Sequence, residues 1–141
     1  MKINKVAILV KKAALESEKI FNPVLAEYDL TVSQYKILKF LYTRPSRTAR
    51  VVDIERQYSM THPTTLGLLG HLEEKGFTAR ITNPDDARGK LVALTEKADA
   101  MREELEAIGD TLENTLTSRL TAREKARLVR LLQKLLGLEQ S

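Results

Sequence analysis

The chain has 141 residues, 43 % of them hydrophobic and 30 % charged, and no cysteine. This is one domain's length with a globular composition, which excludes a disordered chain, a disulfide scaffold, a thiol nucleophile and a thiolate zinc site. The net charge of +4 is unevenly placed, since residues 31–95 hold ten Lys/Arg against six Asp/Glu while the flanking segments are nearly balanced. Such a local excess suits a nucleic-acid surface, although an ordinary soluble protein carries as much.

Residues 3–28 read as a helix, with Val6, Leu9, Val10, Ala13, Ile20, Phe21, Val24 and Leu25 recurring at three and four. Pro23 predicts a kink or a break within it. The apolar run at its start, residues 6–10, is closed by Lys11 and Lys12. It is too short for a membrane span or a secretory signal, so a cytoplasmic protein with no membrane partner is expected. Thr31 and Gln34 have capping-box spacing and open a second helix over 32–43. Residues 43–50 read as a connector with three arginines and no acid.

A short helix over about 51–58 follows, and Thr61 with Pro63 signals a restart at 62, ending at Gly76. Two short helices joined this tightly form a helix-turn-helix. Residues 78–82 and 90–94 read as strands around the turn-rich loop 83–89, a hairpin placed as a wing. Thr95 caps a helix over 96–116 with the stripe Ala98, Met101, Leu105, Ile108, Leu112 and Leu116. Thr121 and Glu124 form another capping box before Leu128, Leu131, Leu132, Leu135 and Leu136, and Gly137 ends that helix.

The fold class is therefore mainly α with a small β-hairpin wing. Residues 29–97 form a winged helix-turn-helix lobe, and 1–28 with 98–141 are dimerisation helices. So small a lobe cannot cover the terminal stripes, which predicts an intertwined homodimer.

With these elements in place, the sequence closely resembles the MarR family of bacterial winged-helix transcription regulators. The resemblance is carried by Leu30-Thr31-Val32-Ser33-Gln34-Tyr35, by Leu72-Glu73-Glu74-Lys75-Gly76-Phe77 and, most strongly, by Asp86-x-Arg88 followed by Leu94-Thr95. It is collinear over essentially the whole chain. It implies a dimer on a palindromic operator of double-stranded DNA, with the fourth helix in the major groove and the wing in the minor groove. It also implies a regulator, most simply a repressor, released by a small lipophilic or phenolic effector. The region for such an effector is Lys11, Lys12, Phe21, Tyr28, Tyr35 and Phe40.

The candidate DNA contacts are Arg47, Arg50, Thr61, His62, Thr64, Gly67, Arg80, Asp86, Arg88 and Lys90. Helical winding puts Thr65, Leu68, Leu69 and Leu72 on the core face of the fourth helix, with Pro63, Thr64, Leu66, Gly67, Gly70 and Glu74 opposite. Thr64 can meet a base edge or a phosphate. Many relatives hold an arginine or another polar residue where this chain has Gly67, a departure that shifts weight toward reading DNA shape. Gly67 and Gly70 either let DNA approach the backbone or permit helix packing. Arg88 suits a narrow minor groove, with Asp86 fixing its side chain, whereas the plain alternative is an exposed ion pair on a solvated loop.

Other function classes fit less well. There is no phosphate loop and no Gly-x-Ser-x-Gly, and both histidines fall on the DNA-facing helix, so no catalytic residue and no enzyme is expected. His62 and His71 are nine residues apart, on opposite sides of one helix, so no metal site and no cofactor is expected. The remaining alternative is a dimeric assembly module that keeps the fold but has lost DNA binding.

Overall fold

The computed structural model describes residues 2–82 and 90–138. Among these described residues, seven α-helices and three β-strands follow in the order α1 Val6–Ala26, α2 Val32–Thr43, β1 Thr48–Arg50, α3 Val51–Tyr58, α4 His62–Glu74, β2 Thr78–Thr82, β3 Lys90–Leu94, α5 Glu96–Ala100, α6 Arg102–Leu116 and α7 Ala122–Leu135. They divide into two compact units. One takes in the described residues up to Ile20 and from Gly109 onward; the other runs Phe21–Ile108.

Local chemistry sets most of the boundaries. Thr31 and Gln34 make the expected capping box of α2, and Thr121 with Glu124 that of α7. Thr61 and Thr95 cap α4 and α5 with their hydroxyls. At the end of α4, Gly76 has φ +83°, and Phe77 N–H bonds back to Leu72 O while Gly76 N–H bonds to Glu73 O. Only the left-handed conformation closes that double bond, and glycine enters it without steric penalty.

Two expectations are corrected and one is narrowed. Of the kink or break expected at Pro23, the break is excluded, because α1 continues through it to Ala26. Proline near a helix end removes a single backbone bond, and the fully buried Leu25 anchors the last turn in the lobe core. The connector over 43–50 contains β1, which pairs antiparallel with β3 through Thr48↔Ala93, Ala49↔Val92 and Arg50↔Leu91. The wing is thus a three-stranded sheet in the order β1-β3-β2. The helix over 96–116 is divided at Met101, whose N–H is shared between the Lys97 and Ala98 carbonyls.

The lobe core gathers Leu25, Leu30, Ile37, Leu38, Leu41, Ile54, Leu69, Leu72, Phe77, Val92, Ala98 and Leu105, all buried. Two tyrosine hydroxyls are satisfied inside it. Tyr35 donates to Leu105 O at 2.8 Å and Tyr42 to Ala98 O at 2.6 Å. Lys75 fastens the end of α4 to the start of α2, donating to Gln34 Oε1 at 2.9 Å and Asp29 O at 2.5 Å.

Burial pushes the Tyr42 hydroxyl up to about 12, and the carboxylate of Asp99 adds to the effect. A phenol held neutral in the fold and free to ionise when unfolded stabilises the fold fully below pH ~10, its ordinary value. That stability is lost as pH rises through about 12. Unfolding free energies measured in urea between pH 9 and 12 should therefore fall for the native chain, by about 1.4 kcal/mol per pH unit at the steepest. Tyr42→Phe should flatten this decline; an unchanged slope would show that other groups cause it.

The terminal unit is built differently. Val6, Ile8, Leu9, Val10 and Leu15 of α1 are exposed, as are Leu128, Leu131, Leu132, Leu135 and Leu136 at the chain's other end. Leu131 is 52 % and Leu135 58 % exposed, far beyond what scattered surface leucines account for when they fall in one stripe. No described helix is long and apolar enough to cross a membrane.

Candidate nucleic-acid interface

The helix-turn-helix is closed by backbone chemistry at Ser59. It sits in the left-handed region at φ 53° and caps α3, while Met60 N–H bonds to Glu55 O at 2.9 Å. Thr61 then starts α4, its hydroxyl accepting from Thr64 N–H and donating to Thr64 Oγ1 at 2.9 Å. Thr65, Leu69 and Leu72 turn inward and are buried, with Leu68 partly so. Of the outer face that the winding predicted, Pro63, Thr64, Gly67 and Glu74 are exposed and Leu66 and Gly70 partly so, and Thr61 and His62 at the start of the helix are exposed as well.

The glycines of α4 divide the two readings given above. A Cβ added at Gly67 or at Gly70 meets nothing within 4 Å, so helix packing within this chain does not require either of them. Both lie in a helical interior, where glycine costs about 1 kcal/mol relative to alanine. Gly67→Ala is therefore expected to raise unfolding free energy by about 1 kcal/mol, measured in urea. The same substitution should weaken DNA binding if the bare backbone is what DNA approaches. A more stable variant with unchanged affinity would remove Gly67 from the interface.

The candidate DNA-contacting arginines Arg47, Arg50 and Arg80 are all engaged with carboxylates. Arg47 pairs with Asp99, and Arg80 Nε lies 3.9 Å from Glu73 Oε2. Arg50 grips Asp53 through Nε at 3.3 Å and Nη2 at 3.2 Å. Arg44 approaches the same carboxylate at 3.7 Å. The hydrogen bond from Arg50 is the main reason the Asp53 carboxyl stays below the usual carboxylate range. Lys90 opens β3 opposite Thr82. Asp86 and Arg88 lie outside the described residues.

His62 is held from across the turn. Its Nδ1 lies 2.5 Å from Glu55 Oε1, in α3. Glu55 was not nominated by any motif, because the contact joins two helices over a turn whose geometry is not local. His71 is exposed and lies 3.9 Å from Glu74. Among the described residues, no three His, Asp or Glu side chains are placed to hold a metal ion.

The effector candidates fall in both units. Lys11 and Lys12 are exposed on α1. In the lobe, Tyr28 donates to Glu104 at 2.7 Å, a bond that raises its pKa, and Tyr35 is buried. Phe21 packs against the core, and Phe40 meets Tyr58 edge-on at 6.2 Å. A separate open cleft of about 690 Å³ is lined by Arg47, Asp99, Ala100, Arg102, Glu103 and Glu106. Its two arginines are paired with Asp99 and Glu106, so it offers an anion little uncompensated charge.

Comparison with known proteins decides the family. The MarR family model matches residues 30–90. The multiple antibiotic resistance protein MarR of Escherichia coli is 32 % identical over 129 residues, covering 91 % of this chain and 88 % of that protein. The chain belongs to the MarR family. Its structure is similar to that of a mutant Escherichia coli MarR complexed with operator DNA, at 30 % identity and a TM-score of 0.84, covering 93 % of both chains. It is also similar to a Staphylococcus aureus MepR–DNA complex, at 27 % identity and a TM-score of 0.86, covering 96 % of this chain and 98 % of that one. The mainly helical architecture with a small antiparallel sheet is thus the winged-helix fold of MarR-family regulators.

Proposed function

We propose that this chain is a sequence-specific DNA-binding transcription regulator, a cytoplasmic homodimer that represses from a palindromic operator. The observation that carries this reading is the polar, exposed face of α4, set on a winged lobe similar to that of an operator-bound relative. Residues 29–97 read DNA, with Thr61, His62, Thr64 and Gly67 toward bases and Arg47, Arg50, Arg80 and Lys90 toward phosphates. Asp86 and Arg88 serve the minor groove. Residues 1–28 and 98–141 join two copies, which explains why Val6, Leu9, Val10, Leu131 and Leu135 stay exposed in one chain. The chain performs no catalysis. A small lipophilic or phenolic effector releases the DNA.

Selection of bound duplexes from a random pool tests this directly. A palindromic consensus whose binding resists nonspecific competitor is expected, and a phenolic-acid screen should then find compounds that weaken it. Failure to enrich any sequence would leave the chain as an assembly module of the same fold.

A further inference from the structure

We propose that Glu55 is a positioning residue that fixes the His62 ring for hydrogen bonding to a base edge. The inference rests on the DNA-binding reading and adds a specificity element to it. His62 is the first residue of α4, with 64 % of its side chain exposed, while the Glu55 carboxylate is largely covered at 18 %. An ionised carboxylate only accepts hydrogen bonds, so at the 2.5 Å contact His62 Nδ1 carries a proton and donates it to Glu55 Oε1. Nε2 has no hydrogen-bond partner among the described residues. The ring is thus held in orientation, much as a carboxylate orients a metal-binding or catalytic imidazole.

Glu55 is itself well anchored. Its backbone carbonyl receives Ser59 and Met60 N–H at the turn, so main chain and side chain of one residue grip the following helix. In the major groove, the exocyclic amino groups of adenine and cytosine are donors, whereas guanine and thymine present acceptors at the corresponding positions. A fixed Nε2 therefore distinguishes these two classes of base at one position of each half-site. A freely rotating imidazole would distinguish them poorly.

The test uses the full-length dimer and the palindromic duplex that the wild type enriches from a random pool, together with all its single-base-pair variants. Wild type should discriminate about tenfold at one position per half-site, within the usual range for a lost base contact. His62→Ala and Glu55→Ala should each reduce that preference to below about twofold, leaving the other positions unchanged. The double variant should lose nothing further at that position. Glu55→Gln, whose amide oxygen still accepts from Nδ1–H, should keep the preference while binding every duplex more tightly, one negative charge having gone. If Glu55→Ala is unfolded by circular dichroism, Glu55→Met supplies the same loss of acceptor with the chain length retained. Glu55→Ala weakening all duplexes by one factor, with base preference intact, would make the contact a staple of the turn and overturn the proposal. Retained preference in His62→Ala would overturn it equally. Absence of any enriched sequence would overturn the DNA-binding reading itself, and is distinguishable because it appears with the wild type alone.

Discussion

Leu131→Glu combined with Leu135→Glu is expected to convert the dimer to monomer and abolish operator binding. The two side chains lie one turn apart on α7, both more than half exposed in a single chain. Burying a leucine against a partner contributes about 1.5–3 kcal/mol, and an unpaired carboxylate in the same place reverses the sign. Across a twofold interface each substitution occurs twice, so the loss reaches on the order of 10 kcal/mol, enough to exceed micromolar association. Light scattering should change from about twice 15.9 kDa to 15.9 kDa. Operator affinity should fall to the level of arbitrary DNA, since one lobe cannot hold both half-sites. A double variant that remains dimeric would mean that α7 is not part of the interface.

The elements that could be read in advance are those whose chemistry is local. Thr31, Thr61, Thr95 and Thr121 each cap the next helix through a backbone group three residues away, so spacing alone exposes them. The positive φ values of Gly76 and Gly137 are equally local. β1 was not legible, because three residues make a strand only when β3 lies beside them. The division at Met101 carries neither glycine nor proline to announce it. At the candidate interface the outward residues of α4 follow from helical periodicity. Their partners do not, since Glu55 on His62, Asp99 on Arg47 and Glu73 on Arg80 are all brought together by tertiary packing.

Arg88→Ala is expected to cost about 1–3 kcal/mol in operator binding and to reduce the slope of log K against log salt by about 1 per wing, 2 per dimer. The expectation rests on Asp86-x-Arg88, the family's signature in the hairpin loop. A guanidinium in a narrow minor groove sits between two phosphate rows, and the potential there deepens over A·T pairs. Preference for A·T pairs flanking each half-site should therefore relax, while preference within the major-groove positions survives. Asp86→Ala should produce a weaker form of the same change, freeing the guanidinium without deleting it. Thr64→Ala should do the opposite, altering half-site preference with little change in salt slope. Identical affinity and slope in a folded Arg88→Ala dimer would remove the wing from the binding energy.

The engaged arginines bear on how such a protein finds its target. Arg47, Arg50 and Arg80 each face a carboxylate before DNA arrives, so reaching a phosphate means exchanging one anion for another. On the proposed DNA-binding reading, arbitrary DNA, which offers phosphates but no matching base edges, would gain little from that exchange, and contacts of α4 with matching bases would be what makes it favourable. A genome presents on the order of 10⁶–10⁹ competing sites, so a regulator is limited by time lost at wrong ones as much as by affinity at the right one. Asp53, Glu73 and Asp99 would shorten those stops, and removing any of them should lengthen residence on random DNA more than on the operator.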